Sequence, residues 1–341
     1  MNSEELKELE LAHRAIQENQ DPVDLATVSS FLLTSVVVAS YKRPVMLAAA
    51  VEQLLGQDYP KLEVIVIDSS PNASDHFATF PFRNDKRVTY IASQVRDLCV
   101  NRNVGLLAAR GTIAIFVDDD VYVDTDFVFR HVALHQSEEG KKANLIAGNC
   151  IPRPNEPSEW IARHVHYRPQ GRFAKSMYGV NFSVKRDFAL SHGGFNPYIR
   201  QVADETEFFM RVVGAPEEAI NGREVTLVHR CAREGGTRIN SDDSENTAIR
   251  MVDRAIFHLS RSKTYLLPYF MLREIAASAK NGETPPFSLL GLRHLLSHFL
   301  LFCIRNSLKM RRQQNFMRLS VQAAQPSVQC GKADFSRILQ D

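Results

Sequence analysis

Three short runs rich in valine and isoleucine constrain the fold of this chain more than any other feature of its sequence. They are Ser35–Ala39, Leu62–Ile67 and Ile113–Val117. Unbroken apolar runs of this length are typical of strands that are buried on both faces, as in parallel sheets. Helical patterns lie between the runs, at Pro44–Leu55 and Cys99–Ala109. The alternation of strand and helix predicts an open, doubly wound α/β sheet.

In such a sheet, ligands bind beyond the carboxyl ends of the strands. The residues that follow each run are therefore the informative ones. Ser40 and Arg43 follow the first run, Asp68 follows the second, and the triplet Asp118–Asp120 follows the third. We expect these polar and acidic side chains to gather at one edge of the sheet.

The triplet Asp118, Asp119 and Asp120 is the strongest candidate for a cation site. Three adjacent carboxylates repel one another unless a cation lies among them. Oxygen ligands favour Mg²⁺ or Mn²⁺, and such an ion could hold a diphosphate and neutralise it as it leaves. The alternative is an acidic turn with three solvated aspartates.

Two single residues each have a functional and a structural interpretation. Asp68 could accept hydrogen bonds from a nucleobase or ribose, or it could only cap the turn that follows it. His229 ends a strand candidate, Val225–Val228. As a metal ligand it would suit Mn²⁺ better than Mg²⁺, although a lone histidine is usually structural. The arginines after it, Arg230, Arg233 and Arg238, could form a loop that closes on a diphosphate.

An acidic segment opens a predicted helix that runs from about Asp204 to Val213. Carboxylates in a first helical turn are stabilised by the helix dipole, and Glu207 could simply pair with Arg211 one turn later. The functional alternative is a general base. A carboxylate beside apolar side chains and other carboxylates has a raised pKa and can take a proton from a hydroxyl.

Composition excludes several classes of protein. The net charge of +2 does not indicate a nucleic-acid partner. The five cysteines are scattered, which argues against a disulfide framework or a structural zinc site and favours a reduced, cytoplasmic compartment. We expect neither a secretory signal nor a membrane-spanning helix, because no basic-then-apolar leader and no long apolar stretch is present.

The chain divides into three predicted regions: an N-terminal helical extension (1–30), an α/β domain (31–240) and a helical C-terminal region (241–341). Within the middle region, Gly148–Gly179 reads as a long irregular connection that contains the only tryptophan, Trp160. From Thr284 to Ala333 there are seven Lys and Arg residues and no Asp or Glu. This basic stretch either lies on an anionic membrane surface or packs against the catalytic domain or a partner helix.

The order of these motifs resembles the family 2 glycosyltransferases. TSVVVASYKRP is similar to that family's opening strand and turn, and the segment from Arg102 to Gly111 is similar to its ARNxGxxxAxG motif. FVDDD matches its DxD motif. NFSVKRDFALSHGGF, DETEFFMR and VTLVHR follow in the family's order. The resemblance covers about residues 31–240.

The resemblance implies a GT-A fold, that is, a Rossmann-like, mostly parallel sheet flanked by helices. It implies a nucleotide-sugar half (31–125) and an acceptor half (126–240), with Trp160 on the acceptor side as a side chain that could stack on a sugar. It also implies the following roles: donor contacts by Ser40, Arg43, Asp68, Arg102, Asp118 and Asp119, metal binding by Asp120 and His229, and a base supplied by Glu205 or Asp204. The usual Glu-Asp order is reversed here, so both remain candidates for the base.

The function implied is inverting transfer of a sugar from a nucleotide-diphosphate donor to a hydroxyl of a glycan or lipid-linked acceptor, with Mn²⁺ or Mg²⁺ as cofactor. Peripheral contact with the cytoplasmic membrane face is compatible with such an acceptor. One alternative is a nucleotidyltransferase that makes a sugar nucleotide, which would favour a glycine-rich phosphate loop after the first strand. Another is a non-catalytic module of the same fold that only binds a nucleotide sugar.

Overall fold

The computed structural model describes residues 3–154, 170–199, 204–232, 234–236 and 314–335. These residues form one nine-stranded sheet with helices on both faces. The strands are β1 (Thr34–Ser40), β2 (Leu62–Asp68), β3 (Val88–Ala92), β4 (Ile113–Asp118), β5 (Val121–Tyr122), β6 (Leu145–Pro152), β7 (Asn181–Lys185), β8 (Ala219–His229) and β9 (Ser327–Cys330). The helices are α1 (Ser3–Asn19), α2 (Pro44–Leu55), α3 (Ala73–Thr79), α4 (Leu98–Ala108), α5 (Phe127–Gln136), α6 (Arg186–Ser191), α7 (Asp204–Val212) and α8 (Gln314–Ala324).

The sheet is mixed, with strand order β5-β8-β6-β7-β4-β1-β2-β3-β9. The neighbours β4, β1, β2 and β3 are all parallel, which confirms the doubly wound arrangement predicted for this half. In the other half, β6 and β8 are parallel to each other. Strand β5 pairs with β8 in antiparallel fashion, and β7 pairs in antiparallel fashion with both β4 and β6. The carboxyl ends of β1, β2 and β4 therefore meet at one edge.

Side chains alternate between two hydrophobic cores, one on each face of the sheet. Val37 and Ile65 lie in the core beneath α4, whereas Val36 and Val64 lie in the core beneath α2 and α5. Because both faces of β1 and β2 are covered, the middles of these strands are apolar, as in other parallel sheets, and the buried Glu63 of β2 is paired with Arg110.

The prediction that an irregular connection begins at Gly148 is wrong, because β6 continues to Pro152. Gly148 and Asn149 weaken the strand pattern in the sequence, but both pair with β8, on either side of a register shift that lies between them. A Cβ on Gly148 would come within 2.4 Å of the Asn181 side chain, so glycine permits the close approach of β7. The elements α3, β3 and α5 were also not predicted from the sequence.

The C-terminal segment returns to the far edge of the sheet. Its strand β9 pairs with β3 in antiparallel fashion, and α8 packs on α4. The predicted helices between residues 245 and 312 lie outside the described residues, as do residues 155–169 with Trp160. Among the described helices, none is long and apolar enough to cross a bilayer.

Gly105 allows α4 to pack closely on the sheet, since a Cβ there would lie 2.3 Å from Val37 Cγ1 and 2.8 Å from Ile67 Cδ1. We expect Gly105→Ala to lower the free energy of unfolding by about 1–3 kcal/mol through overpacking. Gly56→Ala is the matched control, because the nearest atom to its Cβ is 3.5 Å away. Urea unfolding of both variants checks this, and equal midpoints would contradict it.

Two histidines of α5 are buried against β7 in uncharged form. His131 contacts Ser183 Oγ through Nδ1 at 3.0 Å and Asn181 Oδ1 through Nε2 at 3.1 Å. His135 Nε2 contacts the same Ser183 hydroxyl at 2.9 Å. Burial lowers the pKa of each histidine to about 3. Both rings are therefore neutral in the folded protein at any pH above this value.

These histidines make the fold sensitive to acid. The unfolded chain takes up protons on both rings below about pH 6.5 while the folded chain does not, so the free energy of unfolding falls as the pH drops. Each ring contributes a slope of up to about 1.4 kcal/mol per pH unit between its two pKa values. We expect His135→Gln to reduce the slope between pH 6 and pH 5. Urea unfolding at several pH values measures it, and an unchanged slope would show that His135 is not the cause.

Candidate active site

The carboxyl edge of the parallel strands brings the predicted polar residues together. In the sheet register, Ser40 lies opposite Asp68, and Ala39 lies opposite Asp118. The hydroxyl of Ser40 also donates to Asp119 Oδ2 at 2.7 Å. Residues that are far apart in the sequence therefore share one small region.

Asp68 is buried and its carboxylate is held by three groups. Oδ1 accepts a hydrogen bond from the Ser70 amide at 2.9 Å, which caps the following turn. Oδ2 accepts one from the Tyr90 hydroxyl at 2.7 Å and lies 2.7 Å from His76 Nδ1. Neither His76 nor Tyr90 was singled out in the sequence, because only the tertiary structure brings them to Asp68. These contacts fix the orientation of the Asp68 carboxylate.

Asp119 points towards the turn after β1. It accepts hydrogen bonds from Ser40 and, at 2.8 Å, from Arg43 Nη1. Burial and the neighbouring Asp120 raise the pKa of Asp119 to about 7. The side chain of Arg43 thus provides positive charge inside the acidic cluster.

Asp120 faces His229 at the end of β8. Its Oδ2 accepts a hydrogen bond from the Ala232 amide at 2.7 Å, and its Oδ1 lies 3.2 Å from His229 Nε2. Burial alone would raise the pKa of Asp120, but His229 and Arg43 lower it below its ordinary value. Burial alone would lower the pKa of His229, but Asp120 raises it well above the ordinary value.

A metal ion fits the group formed by Asp118, Asp120 and His229. Their ligand atoms all lie within 4.8 Å of one another. Asp120 Oδ1 is buried and accepts no well-directed hydrogen bond from the described residues, so it is available as a ligand. Carboxylate oxygens and an imidazole nitrogen are both common ligands of divalent metal ions. Asp118, which the resemblance assigns to the donor, lies in the same group as the two residues that it assigns to the metal.

Arg102 joins this edge to the start of α7. Its guanidinium is almost completely buried, forms an ion pair with Asp204, and donates to the Gly179 carbonyl at 2.8 Å. Its Nη2 also lies 3.9 Å from Asp118 Oδ1. A buried arginine is stable only when carboxylates compensate it, so Arg102 holds Asp204 and Asp118 on either side of itself.

Glu205 differs from its neighbour Asp204. Asp204 is buried in the ion pair with Arg102, whereas Glu205 is partly exposed. Burial of the carboxyl group and the negative charge of Asp204 raise the pKa of Glu205 well above its ordinary value. Further along α7, Glu207 forms the predicted pair with Arg211, whose Nε lies 2.8 Å from Glu207 Oε1.

The segment after β8 lies against the turn after β1. Arg43 Nε donates to the Glu234 carbonyl at 2.6 Å, and the Gly236 amide donates to the Tyr41 carbonyl at 3.0 Å. Arg96, which was not singled out in the sequence, donates to the Gly236 carbonyl at 2.8 Å and lies over the Tyr41 ring. The arginines Arg233 and Arg238 lie outside the described residues.

Comparison with known proteins identifies the family. The family model described as "Glycosyl transferase family 2" matches residues 35–206, which is half of the chain. The chain belongs to glycosyl transferase family 2. The match includes the edge of the sheet, the three aspartates, and both candidates for the base.

Among curated relatives of this family 2 chain is the glucosyl-dolichyl phosphate glucuronosyltransferase of Haloferax volcanii. The two are 26% identical over 181 residues, which cover 48% of this chain and 55% of that protein. Another is the GalNAc(5)-diNAcBac-PP-undecaprenol beta-1,3-glucosyltransferase of Campylobacter jejuni, 34% identical over 25% of this chain and 29% of that protein. This chain therefore spans about half the length of the first relative and less than a third of the second.

Solved structures of glycosyltransferases have the same fold. Mannosyltransferase PcManGT from Pyrobaculum calidifontis, in complex with GDP-Man and Mn²⁺, has a TM-score of 0.52 and 17% identity, covering 93% of this chain and 94% of that one. S. aureus TarS 1-349 in complex with UDP-GlcNAc has a TM-score of 0.51 and 15% identity, covering 85% and 86%. These likenesses confirm the predicted GT-A fold.

Asp120→Asn should abolish measurable Mn²⁺ binding, because the amide removes the ligand charge at the most buried carboxylate of the group. Isothermal titration with Mn²⁺ in the presence of a nucleoside diphosphate measures this. The control is Asp75→Asn, which changes an exposed aspartate on α3. Equal Mn²⁺ affinities in the two variants would show that Asp120 is not a metal ligand.

Proposed function

We propose that this chain is a metal-dependent, inverting glycosyltransferase that moves a sugar from a nucleotide-diphosphate donor to a hydroxyl of a glycan or lipid-linked acceptor. The observation that carries the proposal is the connection through Arg102, which lies between the metal-binding group and the acidic start of α7. The proposed site for the donor diphosphate and the proposed general base therefore lie next to each other. This is the arrangement that single displacement at an anomeric carbon requires.

Glu205 is the base in this proposal. Asp204 is buried in an ion pair with Arg102, whereas Glu205 is partly exposed, where an acceptor hydroxyl could reach it. The raised pKa of Glu205 makes its carboxylate a stronger proton acceptor. Arg102 thus acts as a positioning residue that distinguishes the two neighbouring carboxylates.

The reaction proceeds in one step. Glu205 takes the proton of the acceptor hydroxyl, and the acceptor oxygen bonds to the anomeric carbon from the face opposite the nucleotide. The bond between that carbon and the diphosphate oxygen breaks, so the anomeric configuration inverts. A divalent cation held by Asp120 and His229, together with Asp118, would supply positive charge to the departing diphosphate. The transition state has oxocarbenium character, as in glycoside hydrolysis.

The remaining residues of the sheet edge bind the donor. In this proposal Asp68 contacts the nucleobase of the donor. Tyr90 and His76 fix the orientation of the Asp68 carboxylate. Ser40 and Arg43 lie next to it at the end of β1, where they hold Asp119 in place. The family resemblance supports these roles, and the register of β1 and β2 is consistent with them.

The proposed acceptor is a lipid-linked or other glycan, and the proposed location is the cytoplasmic face of a membrane. Two relatives support the acceptor class, since their names include glucosyl-dolichyl phosphate and a PP-undecaprenol oligosaccharide. The acceptor half (126–240) would provide the acceptor side. A screen of UDP- and GDP-sugars with mass-spectrometric detection of products would identify the donor. Metal-dependent binding without turnover on any donor would instead indicate a binding module.

Glu205→Gln should lower kcat by about 10²–10⁴-fold, the usual contribution of general base catalysis, and should leave donor binding nearly unchanged. Asp204→Asn is the matched comparison. It removes charge from the partner of Arg102, so we expect it to lower the stability of the fold more than Glu205→Gln does. Turnover, donor affinity and urea unfolding are measured for both variants. A steep loss of kcat in Asp204→Asn alone, with stability unchanged, would assign the base to Asp204.

A further inference from the structure

The N-terminal helix α1 lies outside the part of the chain that the family model matches, yet it packs against the strands that carry the metal-binding group. The side chains of Ala12 and Ile16 are completely buried there. They form a small apolar cluster with Tyr122, Ile151 and Val228. Its members come from α1 and from the ends of β5, β6 and β8.

The pairing of β5 with β8 is what places Asp120 beside His229. Strand β5 has only two residues and follows Asp120 directly. Val121 lies opposite His229 in this antiparallel pair, and the Arg230 amide donates to the Asp120 carbonyl at 2.8 Å. A pairing this short has few hydrogen bonds of its own, so its position depends on what packs against it.

Glu8 of α1 provides a polar attachment to the same strands. Its Oε1 lies 3.3 Å from Arg153 Nη1 and 3.8 Å from Arg230 Nε. The Arg230 guanidinium lies over the Tyr122 ring, 4.7 Å from its centroid. Burial raises the pKa of Tyr122 to about 12, and a hydrogen bond with Glu8 adds to that shift. Glu8 therefore contacts the residue that follows His229 and the second residue of β5.

We propose that α1 is a positioning element for the metal-binding group. Through Glu8 and the buried side chain of Ile16, it holds β5 against β8 and so keeps Asp120 next to His229. The consequence for metal affinity rests on the proposed function, whereas the effect on the two strands does not. On sequence alone α1 is an amphipathic extension without chemistry, and its contribution arises only from where it packs.

Glu8→Gln and Glu10→Gln form a matched pair on the full chain. Both change one glutamate of α1 to the same residue, but Glu10 is exposed to solvent. We expect amide hydrogen exchange at Tyr122, His229 and Arg230 to accelerate in Glu8→Gln and to stay at the wild-type rate in Glu10→Gln. Equal exchange in the two variants would overturn the proposal.

Metal affinity tests the consequence of this positioning. In the presence of a nucleoside diphosphate, we expect Glu8→Gln to bind Mn²⁺ roughly tenfold more weakly than wild type, the lower end of the effects of groups outside the ligand shell. Donor turnover should show a higher metal requirement and a recovered kcat at saturating Mn²⁺. A variant that is only less stable would lose kcat at every metal concentration.

A second variant and two outcomes distinguish failure of this proposal from failure of the proposed function. If Glu8→Gln does not fold, Ile16→Val removes a single methylene from the buried face of α1 and is tested in the same way. If the wild type binds no Mn²⁺ but amide exchange accelerates only in Glu8→Gln, the metal part of the proposed function is wrong. The inference that α1 positions β5 against β8 is then still supported. If the wild type binds Mn²⁺ and neither Glu8→Gln nor Ile16→Val alters affinity or exchange, α1 is not a positioning element.

Discussion

Three adjacent carboxylates at the end of a buried strand are costly unless positive charge or hydrogen-bond donors reach each of them. The structure brings such a partner to each of them, and Arg43 lies close to both Asp119 and Asp120. Arg102 lies near Asp118, Arg43 and Ser40 hold Asp119, and His229 faces Asp120. These partners come from several separate elements of the chain. The negative charge of the three aspartates is therefore compensated by residues from both halves of the sheet.

Arg102 connects that edge to the second half of the site. It is buried between Asp118 and Asp204, and it also donates to a backbone carbonyl just before β7. Its ion pair occupies Asp204, while burial and the negative charge of Asp204 raise the pKa of Glu205. The two carboxylates are adjacent in the sequence and similar in chemistry, but Asp204 is buried against Arg102 and Glu205 is partly exposed.

Segments on either side of the family match complete the sheet. Strand β9 pairs with β3 and so covers an edge that would otherwise present unpaired backbone groups. On the neighbouring helix α8, Phe316 lies 5.5 Å from the guanidinium of Arg211, which belongs to the helix that begins with Asp204 and Glu205. At the other edge, α1 covers β5 and β8. The family region thus depends on both extensions for its packing.

The parallel half of the sheet could be predicted from the sequence, because strands buried on both faces are mainly apolar and the helices between them are amphipathic. It also placed Ser40, Asp68 and the aspartate triplet at one edge, since the carboxyl ends of parallel strands meet. The strand β6 was not predicted, because Gly148 and Asn149 weaken its local pattern and its pairing with β7 and β8 is long-range.

The differences between the individual carboxylates could not be predicted from the sequence, because they arise from tertiary contacts. Charge, burial and hydrogen bonding at Asp118, Asp119, Asp120, Asp204 and Glu205 depend on groups that are distant in the sequence, and no local pattern records those distances. The contribution of α1 is of the same kind, because amphipathic spacing shows that a helix has an apolar face but not what that face covers. Sequence thus fixed which residue types reach the edge of the sheet, and packing assigned each one its partner.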